Sequence, residues 1–314
     1  MDKNLIVSYA PHTRTKENTR SVMLDVIIAL MPALIVGTYY FGFRAAFITL
    51  ISAASCMAFE TIWNMIIKKE NTAGDLSSAV TGILLAFCLP PQIPVWMVII
   101  GDAFAIIVVK CFFGGIGQNI VNPALCARAF MMASWPVEMT YFTMGTDATS
   151  GATALALYKN GTGSFPPFFD LFLGNQLGCI GEGAALFLLI GGIYLIARKV
   201  ITATIPLTYI LTVGICGFIF SPHGFFHGDF LFSIVTGGVM LGGIFMATDY
   251  TTSPVTKKGQ FIYALLAGFI TVIIRTYGSY PEGVTYAILL ANIATPLIDK
   301  FVIPKKFGYV KEGK

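Results

Sequence analysis

The chain has 314 residues, of which 56% are hydrophobic and only 11% are charged, and its mean hydropathy is +0.77. Soluble domains carry roughly 25% charged residues, so this composition excludes a soluble enzyme and indicates an integral membrane protein. The net charge of +4 does not indicate a nucleic acid partner, because the positions of the basic residues along the chain are explained by the topology of a membrane protein. Residues 1–21 contain no apolar core or cleavage site of a signal peptide, so we expect a retained N-terminal segment.

Ten apolar segments in chain order predict an all-α membrane protein of about ten transmembrane helices. A simple span needs about 20 residues, so the short segments 76–89, 120–135 and 183–197 are expected to be trimmed or broken elements buried in the bundle. The segments are 22–41, 45–67, 76–89, 95–113, 120–135, 183–197, 205–220, 230–248, 261–276 and 284–301.

A weak internal similarity predicts two five-helix repeats. Gly74-Asp75 followed by Val80-Thr81-Gly82 recurs as Gly228-Asp229 followed by Val235-Thr236-Gly237. Copies displaced by five spans have opposite orientations, which gives an inverted 5+5 repeat with sites at the repeat interface. The predicted organisation is a first repeat over 22–135, an outer loop over 136–182, a second repeat over 183–301 and a tail over 302–314.

The basic residues predict the orientation. If residues 1–21 lie in the cytoplasm, most of the 20 basic residues lie on the inner side of the membrane, and Lys110 is one of them. The exceptions are Arg44, Arg128, Lys159 and Arg275. The positive-inside rule then places both termini in the cytoplasm and residues 136–182 outside. The expected location is a bacterial or archaeal cytoplasmic membrane, with membrane lipid around the bundle.

The polar heptad 147–153 lies between the two hydrophobic blocks and reads D-A-T-S-G-A-T. The pattern D-x-x-S-G-A-T resembles the acceptor of flavin transferases, which join the phosphate of FMN to the hydroxyl of the last threonine. Thr153 is therefore the predicted attachment residue, and an ordinary surface turn is the alternative. Asp147 serves either the attaching enzyme or an Asx-type turn. The remaining residues assigned to this site are Ser150, Gly151 and Ala152.

Two asparagines follow a glycine-rich connection at 114–118. The amides of Asn119 and Asn122 are candidates for binding a flavin ring or a cation, while Asn122 ahead of Pro123 is equally suited to capping a helix. In the outer loop, Phe142, Phe165, Phe168 and Phe169 either cover a flavin ring or anchor the chain at the membrane interface.

Ionisable residues inside spans are costly, so they are candidates for an ion path. Asp102 lies in the middle of its segment, whereas Asp25 and Asp249 lie near segment ends. Arg128 lies inside 120–135 and is expected either to pair with Asp102 or to contact a phosphate or flavin. Glu60 is expected to face a neighbouring helix or a polar cavity. The six cysteines lack C-x-x-C spacing, so no metal site is predicted and buried thiols are expected.

Four segments together resemble one family in order. They are 80–85 leading to Pro90-Pro91, 114–119 leading to Asn122-Pro123-Ala124, the heptad 147–153, and 245–250 leading to Ser253-Pro254. This is the NqrB/RnfD family, which comprises RnfD of the Rnf ion-translocating ferredoxin:NAD oxidoreductase complex and NqrB of the sodium-pumping NADH:quinone oxidoreductase. The short segment before the first span favours the Rnf branch.

The resemblance implies ten helices, covalent FMN on the outer side and often a second, noncovalent riboflavin. It also implies a redox-driven translocase that is inactive alone, with other membrane and peripheral Rnf subunits, a flavin transferase, and Na⁺ or H⁺ as partners. Two alternatives stay open on the residues alone. One is a urea- or ammonium-like channel or carrier built on the same inverted bundle, and the other is a membrane scaffold.

Overall fold

The computed structural model describes residues 18–68, 72–144, 149–161, 167–222, 224–278 and 282–303. Its first half is a series of helices joined by short connections. A 3-10 turn at Ala73–Asp75 precedes α3, and α4 continues without a break into a π-helix at Phe104–Cys111. The helices are α1 Thr19–Phe41, α2 Phe43–Ile67, α3 Ser77–Phe87, α4 Val95–Ala103 and α5 Pro123–Ser134.

The connecting region contains short elements. A two-residue hairpin pairs β1 Thr143–Met144 with β2 Thr149–Ser150, antiparallel, with Thr143 opposite Ser150. The short helices are α6 Pro136–Met139, α7 Ala154–Asn160 and α8 Phe168–Leu173, followed by a 3-10 turn at Glu182–Ala184.

The second half is also helical, and one of its elements is interrupted. A second small hairpin pairs β3 Phe220–Ser221 with β4 Gly224–Phe225, and α12 continues into a π-helix at Gly242–Met246. The helices are α9 Ala185–Ala197, α10 Thr204–Ile219, α11 Phe230–Val235, α12 Val239–Leu241, α13 Lys257–Tyr277 and α14 Val284–Phe301.

Four of these helices, α1, α2, α13 and α14, are long and apolar enough to cross a membrane. Their outer faces carry large apolar side chains that are exposed in the part of the chain that the structure describes: Tyr39 is 83% exposed and Phe43 is 88% exposed. Large exposed apolar surfaces of this kind mark contacts with a membrane or with other proteins. The predicted class, an all-α membrane protein, is therefore confirmed, and every predicted apolar segment contains a described helix.

The interruption falls in a segment that we expected to be one continuous span. Residues 230–248 break at Thr236, and Gly237 takes a φ of +64°, which favours glycine. The break frees backbone carbonyl groups, and Arg275 donates to two of them, Ser233 O at 2.9 Å and Thr236 O at 2.8 Å. Non-helical backbone is tolerated at such a depth because protein groups replace the lost hydrogen bonds.

The end of the predicted outer loop is also different from expectation, because it enters the bundle. Ile180 N donates to Leu89 O at 3.1 Å, and Gly181 N donates to Phe87 O at 2.8 Å, which fastens this segment to the end of α3. Ile180 is fully buried. The segment approaches so closely that a Cβ on Gly181 would lie 2.8 Å from Phe87 Cβ. Residues 136–182 are therefore only partly a surface loop.

The connections lie at two opposite ends of the bundle, as the topology predicts. At one end, Asp25 near the start of α1 forms an ion pair with Arg198 just after α9, and Tyr250 Oη donates to Val200 O at 2.6 Å. At the other end, Arg44 donates to Pro91 O at 3.2 Å, and Lys159 Nζ donates to Gly278 O. We call these the inner end and the outer end; their assignment to cytoplasm and exterior stays a prediction.

The internal similarity places two aspartates in corresponding structural roles. Asp75 Oδ1 accepts from the backbone N–H of Ser77 at 2.9 Å, at the start of α3. Asp229 Oδ1 accepts from Leu231 N at 2.9 Å and Phe232 N at 3.1 Å, at the start of α11. Both carboxylates thus satisfy helix N–H groups that lack partners within the helix. The inverted repeat and its boundaries remain predictions.

Candidate functional site

A cavity of about 590 Å³ opens at the inner end of the bundle. Small-molecule and cofactor sites measure roughly 300–1,000 Å³, so this cavity has the size of a cofactor site. Three of the four segments singled out in the sequence contribute its walls, although they are far apart along the chain. They supply Val80, Thr81, Asn119, Asn122, Thr248 and Asp249.

Asn119 and Asn122 connect the glycine-rich segment to the segment after the second π-helix. Asn119 Nδ2 donates to Val121 O at 3.1 Å and reaches Asp249 Oδ2 at 3.5 Å. Asn122 Nδ2 donates to Met246 O at 3.2 Å, while its Oδ1 accepts from Leu125 N at 3.2 Å. The capping role considered for Asn122 is confirmed, and the same amide also lines the cavity. Asp249 lies on the cavity wall as well.

The predicted topology placed Lys110 in an inner connection. In the structure this residue lies in the π-helix instead, where it is only 3% exposed. Its Nζ lies 3.0 Å from Glu60 Oε1 and donates to Ser77 Oγ at 2.6 Å. Lys110 and Ser77 also line the cavity. Glu60 therefore faces a neighbouring helix, and a positively charged amine stands at the cavity wall, balanced by that carboxylate.

Arg128 does not pair with Asp102, contrary to one of the two expectations. Its Nη2 contacts Glu282 Oε2 and lies 3.7 Å from Glu182 Oε1. The same nitrogen lies 3.5 Å from Cys179 Sγ. The side chains of Arg128 and Glu182 are almost entirely buried, and that of Glu282 is 11% exposed. We call Arg128, Glu182 and Glu282 the acid–arginine cluster.

Three potential metal ligands lie in or beside this cluster. One ligand atom each from Cys179, Glu182 and Glu282 lies within 4.8 Å of the other two. The guanidinium of Arg128 already provides positive charge against all three, so a metal ion would have to displace it. The arrangement is therefore an ion-pair cluster built on Arg128.

Asp102 has its own set of donors in the first half of the bundle. It is completely buried, and it accepts hydrogen bonds from Ser52 Oγ at 2.6 Å and from Ser55 Oγ. Cys56 Sγ lies 3.4 Å from the same carboxylate. These three donors stand at i, i+3 and i+4 on one face of α2, the spacing that aligns side chains on a helix. Asp102 is thus hydrogen-bonded without a cationic partner among the described residues.

Asp25, the third ion-path candidate, has a structural partner instead. Its Oδ2 lies 3.1 Å from Arg198 Nη2, and its Oδ1 accepts from Tyr194 Oη at 2.9 Å. These contacts join α1 to the end of α9.

Thr153 is the N-cap of α7 at the outer end. Its Oγ1 accepts from Ala156 N at 3.3 Å, and the residue is 6% exposed. Gly151 and Ala152 just before it are exposed, and Gly151 N donates to Phe142 O at 3.4 Å. Asp147 and Phe165 lie outside the described residues. Phe169 is 73% exposed and turned outward, which favours interface anchoring over ring covering for that residue.

The predicted site residues thus form separate groups along the bundle. Asn119, Asn122 and Asp249 meet at the inner cavity, Thr153 lies at the outer end, and Arg128 lies between them on α5. Glu182 and Glu282 were missed in the sequence, because one was assigned to a loop and the other lies just before the last helix. A basic residue inside an apolar segment was the one hint that acidic partners must exist.

The chain matches the model of the NQR2, RnfD, RnfE family over residues 6–308. It is 51% identical to the D subunit of the Na⁺-translocating ferredoxin:NAD⁺ oxidoreductase complex of Acetobacterium woodii, covering 99% of this chain and 98% of that protein. It is 43% identical to the proton-translocating counterpart of Clostridium ljungdahlii, covering 98% and 97%. A more distant relative, the D subunit of the ion-translocating oxidoreductase complex of Salmonella newport, is 32% identical, covering 97% and 99%. The chain therefore belongs to the NQR2, RnfD, RnfE family.

Proposed function

We propose that this chain is the membrane-embedded RnfD component of an ion-translocating ferredoxin:NAD⁺ oxidoreductase complex. In this proposal it holds FMN covalently on Thr153, holds a second, noncovalent riboflavin in the inner cavity, and relays electrons coupled to the movement of Na⁺ or H⁺. The observation that carries it is the convergence of three distant family segments on one cofactor-sized cavity. The names of the relatives support the complex and favour redox coupling over the channel or scaffold alternatives.

The residues of the cavity fit a flavin. Its apolar walls suit an aromatic ring system, and the amides of Asn119 and Asn122 offer both donors and acceptors, which a flavin ring edge requires. Lys110 Nζ places positive charge at the same wall, and Glu60 and Ser77 hold that amine in position. A bound flavin would supply the electron-transfer chemistry. The role of these side chains is to bind and orient it.

The outer segment fits covalent attachment at Thr153, with one constraint. Gly151 and Ala152 are exposed, so space is open on the side from which a large group would arrive. The hydroxyl itself caps α7, so attachment requires a local rearrangement of this turn. We propose that a flavin transferase acts on this loop, and that the loop faces the exterior.

Coupling to ion movement requires groups that change charge or position inside the bundle. Each elementary charge moved against 100 mV costs about 2.3 kcal/mol. Asp102, held by Ser52 and Ser55, and Asp249, on the cavity wall, are the carboxylates that we propose for the path. Asp25 is the weakest member of this set, because Arg198 pairs with it.

The test measures flavin retention in the native host, which contains the attaching enzyme and the partner subunits. We expect the chain to give a fluorescent band on a denaturing gel, lost in Thr153→Val, and riboflavin released on denaturation, reduced in Asn122→Ala. Thr153→Ser is the matched control, because it keeps the hydroxyl. A wild-type band without fluorescence, in cells with the transferase, would refute covalent attachment. Absence of released flavin would refute the assignment of the cavity.

A further inference from the structure

We propose that Glu182 and Glu282 share a single proton, and that this acid pair, held by Arg128, is a proton-binding site between the inner cavity and the outer end. Neither carboxylate belongs to the proposed flavin sites. The binding of the proton stands on the geometry of the acid–arginine cluster alone. Its use in ion translocation rests on the proposed function.

The charges of the cluster are two carboxyl groups and one guanidinium. Both carboxyl groups lie against that guanidinium, and one oxygen of each lies within 4.8 Å of an oxygen of the other. Two ionised carboxylates cannot donate to each other, and at this separation only one of them is ionised at a time. A proton on Glu182 converts the contact into an O–H that donates to a Glu282 oxygen.

One carboxyl oxygen of Glu182 has no hydrogen-bond partner among the described residues. Oε2 accepts from Cys179 N at 3.2 Å, but Oε1 is buried and receives no hydrogen bond from the described residues. Arg128 lies 3.7 Å away, beyond hydrogen-bond distance. A buried ionised carboxylate oxygen without a donor is unfavourable, whereas a protonated one has Glu282 as an acceptor. Glu182 is therefore the member that holds the proton, and Glu282 is the ionised partner of Arg128.

The other groups around the pair do not remove the need for the proton. Cys88 and Cys179 are buried thiols, and thiols are neutral at ordinary pH. Arg275 is another cation, but its guanidinium already donates hydrogen bonds to the carbonyl groups of Ser233 and Thr236 at the helix break. Gly238 lies beside the cluster but has no side chain that could carry a charge.

The direction of the pKa values agrees with this geometry. Burial raises the pKa of the Glu182 carboxyl well above its ordinary value, and the nearby charge of Glu282 raises it further. Burial also acts to raise the pKa of Glu282, but the charge of Arg128 and the hydrogen bonds to that carboxylate outweigh it, so this pKa is lowered. One acid is thus favoured in the neutral form and the other in the charged form.

The position of the cluster gives it access toward the outer end. A cavity of about 30 Å³, enough for a water molecule, lies against Arg128 and Glu282 and is lined by Thr140 and Phe142 of the outer connection. On the inner side, Arg128 lies one helical turn beyond Ala124, which lines the large cavity. Leu125 lies beside Arg128 and Glu182. The acid pair therefore lies between the small outer cavity and the large inner cavity.

The experiment is infrared spectroscopy of the assembled complex in lipid, comparing the wild type with variants of this chain in H₂O and D₂O. We expect difference spectra between the wild type and each variant, in which other buried acids such as Asp102 cancel, to show the carbonyl stretch of a protonated carboxylic acid near neutral pH, shifted by deuterium. Glu182→Gln should lose it. Glu282→Gln should lose it too, because the single remaining acid then pairs with Arg128 and ionises. Glu138→Gln, a half-buried acid of the same outer region, is the matched control and should keep it.

The double loss distinguishes a shared proton from one isolated buried acid. A band that persists in both single variants, or that is absent from the wild type across the stable pH range, would overturn the proposal. A band lost on adding Na⁺ at constant pH would show that a metal cation replaces the proton, which would also overturn it. The wild-type titration keeps the proposal testable if a variant fails to assemble. The variants are compared at equal flavin content, because the carbonyl groups of the flavin ring absorb in the same spectral region.

Discussion

Arg128→Met is the substitution that tests the acid–arginine cluster most severely. Methionine keeps much of the side-chain length but removes the charge that lies against Glu182 and Glu282. The expected result is a large loss of stability, because an ionised carboxylate is left buried without a cation in contact.

The magnitude follows from the geometry. Two unit charges 4.8 Å apart would repel by about 3.5 kcal/mol at an effective dielectric constant of ~20, so only one of the two acids is ionised, and Arg128 offsets that single charge. Breaking a buried ion pair by removing one partner costs about 3–5 kcal/mol. Protonation of both carboxyl groups relieves part of this loss, so we expect about 3 kcal/mol near neutral pH and less at lower pH.

The assay is equilibrium unfolding of the solubilised chain in mixed micelles, with the free energy of unfolding read from the denaturing detergent titration. The matched control is Arg198→Met, since Arg198 pairs with Asp25 but is 58% exposed. Exposed pairs contribute about 0–1 kcal/mol, so this variant should lose little. If the two variants lose the same free energy of unfolding, the acid–arginine cluster is not a buried set of charges that depends on Arg128, and the interpretation is refuted.

Three further predictions concern packing, pH and the cavity. Gly82→Ala should destabilise the chain by about 1–3 kcal/mol, because a Cβ there would lie 2.5 Å from a backbone carbonyl oxygen of α2; the unfolding free energy measures it. The pKa of Glu182 is raised in the folded chain by burial and by its neighbouring carboxylate, so its contribution to stability is full below the ordinary glutamate pKa and is lost as the pH rises through the folded-state pKa. Unfolding midpoints should therefore fall as the pH rises above the ordinary glutamate pKa, and Glu182→Gln should flatten that fall. Asn122→Ala should remove a helix cap worth about 1 kcal/mol and should lower the ratio of noncovalent flavin to protein.

Matched variants separate these causes. Gly74→Ala has no atom within 4 Å of the added Cβ and should be nearly neutral, so equal effects at Gly74 and Gly82 would contradict the packing argument. Thr256→Ala removes the cap of α13 but lies away from the cavity lining, so it should cost stability without changing flavin content. A fall with rising pH that persists in Glu182→Gln would assign the pH dependence to another group.

Hydropathy was sufficient to predict the long helices of the bundle, because each is apolar along its whole length. It did not predict the short helices α6, α7 and α8, which lie in the segment expected to be an outer loop. It did not predict the break at Thr236, since the apolar run continues through Gly237 and the break depends on Arg275 from another helix. The same limitation applies to Lys110. Its place near a segment end suggested a connection, but a long-range partner, Glu60, holds it inside.

The candidate site was predicted in part. Asn119 and Asn122 were identified because their amides could bind a flavin ring or a cation. Both line a cavity, and Asn122 also caps α5, which was the alternative. The partners of Arg128 could not be found, because Glu182 and Glu282 are separated from it along the chain and lie outside the apolar segments. Only the return of residues 176–184 into the bundle brings Glu182 to Arg128, and that return depends on tertiary contacts with the end of α3.

We propose above all that Thr153 carries FMN through a phosphoester bond. Peptide mass spectrometry of the chain isolated from its native host tests it most directly. We predict that the peptide containing Thr153 carries the added mass of FMN, with fragment ions that locate the modification on that threonine. An unmodified peptide as the dominant species would contradict the claim.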